Sequence, residues 1–139
     1  MATAATTMHV EVVSAERAVL SCEATELYAR GVEGQIGILP GHQPALIALD
    51  VGPVKIVLAD GQVELIAVHR GLLFVDADRR CIVLADVAEP ASGIDVRRAR
   101  AKATQLEQQL EADPHDEVLL AAMKRNRIRL EVAEAVSIL

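Results

Sequence analysis

The chain has 139 residues, 52% of them hydrophobic, with one Phe, one Tyr and no Trp, so its core must be aliphatic and the aromatic platforms on which single-stranded nucleic acids stack are missing. A formal net charge of −6 argues against phosphate-backbone binding, and the length suits one domain, or a small domain with an appendage, better than an enzyme with a cofactor domain. Residues 1–93 carry 6 basic and 12 acidic side chains whereas residues 94–139 carry 8 of each, an asymmetry that fits two regions with different partners.

Residues 1–7 are small and uncharged and lead into no long apolar run, which reads against a secretory signal. No stretch has the apolar length of a membrane span, so a soluble, intracellular chain is expected. Cys22 and Cys81 are far apart and belong to no Cys-x-x-Cys pair; they read as buried or half-buried free thiols in a reducing compartment.

From residue 8 to about 88 the pattern is short strands separated by turn signals. Val10, Glu11 and Val12 open an alternation that residues 24–29 continue with Thr25, Leu27 and Ala29 on one side. Gly31, Gly34, Gly37, Pro40 and Gly41 then punctuate turns around one short strand. Asp60-Gly61 joins strands at 54–59 and 63–69 as a two-residue hairpin, and residues 72–75 pair with 81–85 across Asp78-Arg79-Arg80. About ten short strands with no helical period between them predict an all-β sandwich or barrel over residues 8–90.

The period changes after Pro90-Ala91-Ser92-Gly93. Ser92 with Asp95 three residues on is a helix start signal, and Val96, Ala99, Ala103, Leu106 and Leu110 then form one narrow apolar stripe. The helix is expected to end near Ala112. Asp113-Pro114 reads as an N-cap followed by proline at the first position of a second helix, with Asp116 and Glu117 in its first turn and its end near Val136. The short connection predicts an antiparallel two-helix hairpin over residues 91–139. Narrow stripes bury little, so the hairpin needs a docking surface, and one from which it can detach.

Phosphate-loop, dinucleotide and nucleophile-elbow signatures are absent, and His9, His42, His69 and His115 never fall at metal-ligand spacing. Each histidine reads as a surface or turn residue. No catalytic or metal-binding residue is predicted, no cofactor is required, and an enzyme is not expected.

Residues 32–44, Val-Glu-Gly-Gln-Ile-Gly-Ile-Leu-Pro-Gly-His-Gln-Pro, form by themselves a turn-dense sandwich corner. The stretch resembles the Glu-Gly-x-x-Gly-Ile-x-Pro-Gly-His-x-Pro signature of the epsilon subunits of bacterial F-type ATP synthases. Residues 12–17 resemble that family's first-strand opening, Gly71-Leu72-Leu73 its glycine before a strand, residues 84–89 the end of its sandwich and residues 94–99 the start of its helical hairpin. The resemblance runs from residue 8 onward and implies the sandwich rather than the barrel.

It further implies a non-catalytic rotor subunit at the foot of the central stalk, with the gamma subunit, the membrane c-ring and the α/β catalytic head as partners and no nucleic acid. Such a subunit would sit peripherally at the cytoplasmic face of the cell membrane, held there only through the complex. It would couple hydrogen ion or sodium flow to ATP synthesis and inhibit ATP hydrolysis through its C-terminal helices. Glu33, Gln35 and His42 would face gamma or the c-ring; Gln35 stands where members often carry an acid, so Glu33 or a neutral hydrogen bond would serve there.

Ile94-Asp95-x-x-Arg98-Ala99 reads by itself as a helix start with an acid in its first turn. In bacterial epsilon subunits the pattern belongs to an ATP-binding site, which implies Glu89, Ile94, Asp95, Arg98, Arg125 and Arg129 as ligands of ATP as a regulatory molecule. Guanidinium groups suit phosphate oxygens and carboxylates accept from hydroxyl or amino groups. Gln105 stands where some ATP-binding relatives carry a further arginine. Arg125 falls in the otherwise apolar row Val118, Ala121, Ile128, Val132, Ala135. The cluster Lys124, Arg125, Arg127 and Arg129 is by itself a solvated basic face; the resemblance implies that it meets an acidic stretch of the catalytic β subunit when the hairpin extends. The competing reading is a free-standing sensor module that binds a nucleotide or a protein without a rotor.

Overall fold

A computed structural model describes residues 6–136; residues 1–5, part of the leader reading, and residues 137–139, the end of the helical segment, lie outside it. The order is β1 (Met8–Ser14), β2 (Ala18–Gly31), β3 (Gly34–Ile38), β4 (Ala45–Leu49), β5 (Gly52–Leu58), β6 (Val63–Val75), β7 (Arg80–Pro90), a single 3-10 turn at Ala91–Gly93, α1 (Val96–Ala112) and α2 (Glu117–Val136). A β-sandwich followed by two helices is the architecture expected, but among the described residues it has seven strands rather than about ten short ones. The difference lies in β2, β6 and β7, of 14, 13 and 11 residues, which bend instead of breaking.

Two local irregularities do the bending. In β2, Ala24 pairs with Leu58 and Glu26 with Val57, so Thr25 bulges out of the ladder. The alternation changes phase there, and Ala24 rather than Thr25 joins Leu27 and Ala29 in the interior. In β6, Arg70 takes φ 67 between His69, paired with Val87, and Gly71, paired with Ala85. A Cβ at Gly71 would lie 2.1 Å from the Leu84 carbonyl oxygen, so only glycine lets β7 approach at the kink.

Sheet order is β1-β7-β6-β4-β2-β3, with β5 bridging β2 and β6. β1 pairs antiparallel with β2 and parallel with β7, which closes the layers around an aliphatic interior that includes Val10, Val12, Leu27, Ile38, Ile56, Ile66, Leu73 and Val83. Cys81 lies in it, its thiol pushed up to about 12 chiefly by burial, and Cys22 is half-buried; both are free. The Pro40-Gly41 turn closes with the His42 N–H donating to the Leu39 carbonyl at 3.0 Å and Gly41 at φ 90, a type II turn.

A second, separate apolar cluster joins Val51, Leu65 and Ala67 of the sandwich to Ile128 and Val132 of α2. The helices themselves follow the stripe expected for α1, with Ala99 and Leu106 buried. Buried Asn126 ties α2 to α1, its Nδ2 donating to the Ala99 carbonyl at 2.8 Å. Both caps differ from expectation. Ser92 lies in the 3-10 turn, and Asp95 caps α1 by accepting from the Arg98 N–H at 3.0 Å. Asp113 closes α1, its N–H donating to the Gln109 carbonyl, and α2 begins only at Glu117, too far on for Asp113 to cap it. Asp116 does, accepting from the N–H groups of Val118 and Leu119 at 2.9 and 3.1 Å. The apolar row of α2 is underlain by the sandwich only along its second half, and Val118 and Ala121 are exposed. Among the described residues no helix is long and apolar enough to cross a membrane.

Gly71→Ala is expected to destabilise the sandwich by about 2–4 kcal/mol, from backbone overlap at the kink. Chemical denaturation followed by far-UV circular dichroism checks it; a loss below about 1 kcal/mol would show that β7 yields at this point.

Candidate functional site

The site assembles where β6, β7 and both helices meet. Leu65, Ala67 and His69 alternate onto one face of β6, the face that packs against α2. Glu89 pairs with Ala67 across the β6–β7 ladder and so shares that face. The chain then turns through Ala91–Gly93 into α1, whose start carries Ile94, Asp95 and Arg98, and α2 returns to bring Arg129. The result is a pocket of about 620 Å³ lined by Glu89, Ile94, Asp95, Arg98, Lys102, Gln105, Asn126 and Arg129 among others.

Its central contact is one carboxylate with two partners. Glu89 Oε1 accepts from Arg129 Nε at 2.7 Å and lies 2.8 Å from His69 Nε2. His69 is 4% exposed, which overturns its reading as a surface or turn residue. Its place on the inward face of β6, opposite the start of the hairpin, buries the ring, and Glu89 makes that burial tolerable by engaging Nε2. Burial is the main force pushing the His69 pKa down; Glu89 opposes it, while Arg129 and Arg125 add to it. Nδ1 has no hydrogen-bond partner among the described residues. Of the other histidines, His9 and His42 are half-buried and His115 is exposed.

Five of the six residues implied for ATP line this pocket: Glu89, Ile94, Asp95, Arg98 and Arg129. Arg125 lines a neighbouring groove of about 640 Å³ with Asp50, Arg70, Asp86 and Lys124. There Lys124 Nζ reaches both Asp50 oxygens, at 3.1 and 3.2 Å. The Val51 N–H and then the Lys124 ammonium hold the Asp50 carboxyl below the ordinary carboxylate range. The basic cluster of α2 is therefore divided: Lys124 and Arg129 are bonded to sandwich carboxylates, Arg125 faces a groove and Arg127 is exposed. Arg30 and Glu131 add a looser tie at 3.6 Å.

Glu33 and Gln35 sit at the β2–β3 turn, and His42 lies beyond the opposite end of β3, about 13 Å of strand away. They do not form one patch. The His42 ring bonds locally, Nδ1 lying 2.7 Å from the Gln43 carbonyl. Among the described residues no group of three or more His, Cys, Asp or Glu side chains is placed to hold a metal ion.

One surface was not anticipated. Leu46, Leu72, Phe74 and Leu84 are 60%, 40%, 43% and 43% exposed on the outer face of β4, β6 and β7. Leu46 pairs with Phe74 and Leu72 with Leu84, so the four form a continuous apolar patch. The signal was present in Leu72-Leu73-Phe74 and Ile82-Val83-Leu84, which are apolar at consecutive positions, whereas a strand with one wet face alternates.

The family described as ATP synthase, Delta/Epsilon chain, beta-sandwich domain matches residues 7–91. The chain is 43% identical over 126 residues to the ATP synthase epsilon chain of Streptomyces coelicolor, covering 91% of this chain and 94% of that one. It is 35% identical over 133 residues to the ATP synthase epsilon chain of Acinetobacter baumannii, covering 94% and 95% respectively. In three dimensions it is similar to a chain in the cryo-EM structure of Euglena gracilis mitochondrial ATP synthase, OSCP/F1/c-ring in rotational state 1, with a TM-score of 0.71 at 17% identity over 99% of this chain and 83% of that one. This last likeness bears on the fold.

Removing Arg129 with Arg129→Ala is expected to loosen the docked hairpin by about 1–3 kcal/mol, since it strips a charged partner from a half-buried carboxylate. Lys124→Ala, at a more exposed pair, should stay below about 1 kcal/mol. Hydrogen exchange of α2 amides measures both, and the reverse ranking would place the anchor at Asp50 instead.

Proposed function

We propose, from the premise that this chain belongs to the family of ATP synthase epsilon chains, that it is a non-catalytic rotor subunit of the central stalk whose helical hairpin regulates ATP hydrolysis. The observation that carries the rotor reading is the apolar patch of Leu46, Leu72, Phe74 and Leu84. Contiguous exposed apolar area of this kind marks a protein interface, and leaving it wet forgoes roughly 25 cal/mol per Å². In this reading gamma covers it. Glu33 with Gln35, and His42, lie at opposite ends of β3 and so serve two contacts, divided between gamma and the c-ring.

The hairpin has two positions. Docked, α2 rests on the small second cluster and leaves the motor free. Extended, Lys124, Arg125, Arg127 and Arg129 meet an acidic stretch of the catalytic β subunit and block rotation. ATP held by Glu89, Ile94, Asp95, Arg98 and Arg129, with Arg125 from the adjoining groove, favours docking. The reason is geometric: the pocket takes its walls from β7 and both helices, so a ligand bridging them binds the docked state and not the extended one. Coupling of hydrogen ion or sodium flow to ATP synthesis, and a peripheral place at the cytoplasmic membrane face, follow from assembly.

Co-expression with gamma and affinity purification tests the rotor reading. Wild type should retain gamma and Phe74→Glu should lose at least about tenfold of it while keeping its circular dichroism spectrum. Equal retention would remove the patch from the interface, and a lone, ligand-responsive monomer would favour the sensor. Calorimetry with ATP tests the pocket: Arg98→Ala and Arg125→Ala should each weaken binding by about tenfold. Unchanged affinity in both would refute the assignment.

A further inference from the structure

We propose that His69 is a proton-operated release for the helical hairpin: adding a proton to its ring weakens the docking of α2 on the sandwich. The ring sits on the face of β6 that carries Leu65 and Ala67, the residues on which Ile128 and Val132 of α2 rest. It is 4% exposed and lies 2.8 Å from the same Glu89 oxygen that accepts from Arg129 of α2. With one proton, on Nε2, the ring donates to Glu89 and leaves a lone pair at Nδ1. A second proton must go to Nδ1, where no described residue offers an acceptor.

The charges around it come from three elements. β7 contributes Glu89, which favours the proton; α2 contributes Arg129 and Arg125, which oppose it. Asp95, Arg98 and Lys102, from the start of α1, line the far side of the pocket that Glu89 and Arg129 share. Burial, helped by the two arginines, outweighs Glu89, so the docked ring holds its second proton less tightly than an ordinary histidine. Undocking takes away α2 with both arginines and leaves Glu89 in place, so the freed ring holds that proton more tightly.

The sign follows. Above the freed-state pKa the ring is neutral in both positions and docking keeps its full strength. As pH falls through the freed-state pKa the freed state takes up a proton that the docked state refuses, and docking weakens. Each unit of separation between the two pKa values lowers the docking constant about tenfold once the pH is below both. The release requires only that the hairpin undocks, and it is independent of ATP binding and of rotor assembly.

Hydrogen exchange on the full chain tests it, with α2 amides referred to those of β2 and corrected for intrinsic rates. Between about pH 7.5 and about pH 5.5, α2 protection in wild type should fall several-fold, up to about tenfold. His69→Gln keeps a donor for Glu89 but does not titrate, and its α2 protection should change by less than about twofold. An equal fall in both proteins, or no fall in wild type, overturns the proposal. Should His69→Gln not fold, the ring titration of wild type by NMR decides: His69 must titrate below an ordinary histidine, and titration at or above the ordinary value overturns it.

Discussion

The regulation proposed for this chain depends on the smallness of the apolar contact between α2 and the sandwich. Val51, Leu65 and Ala67 on one side meet Ile128 and Val132 on the other, and this cluster is separate from the interior that holds the strands together. Two buried branched side chains contribute about 1.5–3 kcal/mol each, against the entropy of fixing two helices. The strands keep their own core whether or not the helices are in place. A hairpin held in this way is ordered by its cradle, and modest changes in charge or ligand are large relative to what holds it.

The polar contacts give that weak attachment its selectivity. Lys124 and Arg129, two of the four cations on α2 proposed to meet an acidic partner, are occupied in the docked position by Asp50 and Glu89. In the proposed extended position the helix would exchange one set of carboxylates for another rather than leave its charges bare, a trade that would keep the two positions close in energy. Glu89 stands apart from Asp50 because it also engages the buried ring of His69. One oxygen thus connects a strand, the helix that covers it and the wall of a pocket.

The fold was legible where local chemistry decides it and obscure where register does. Pro40-Gly41 and Asp60-Gly61 announced their turns, and the α1 stripe of Val96, Ala99, Ala103, Leu106 and Leu110 faces inward as its spacing requires. Strand number was overestimated because the Thr25 bulge shifts the phase of β2 and the Arg70-Gly71 kink looks like a break in sequence, whereas both are bends within continuous ladders. The helix caps moved because Asp113 and Asp116 are equally good candidates until α1 claims the first. In the candidate site, the acids and arginines at the start of α1 and on α2 were readable from spacing and resemblance. The burial of His69 was not, because it depends on which face of β6 receives a helix some sixty residues further along the chain. The same gap separated Arg125 from its five companions, since a helical row says nothing about where the surface beneath it ends.

The parallel pairing of the first strand with the last has a consequence for biogenesis. His9 meets Arg80 and Val12 meets Val83, so β1 has only β2 for company until the ribosome has delivered nearly the whole sandwich. The sticky outer face is completed by Leu84 of that last strand. Premature fragments therefore display an unfinished surface, and the patch proposed to meet gamma is incomplete until the sandwich has closed its own layers. Assembly order is written into the topology.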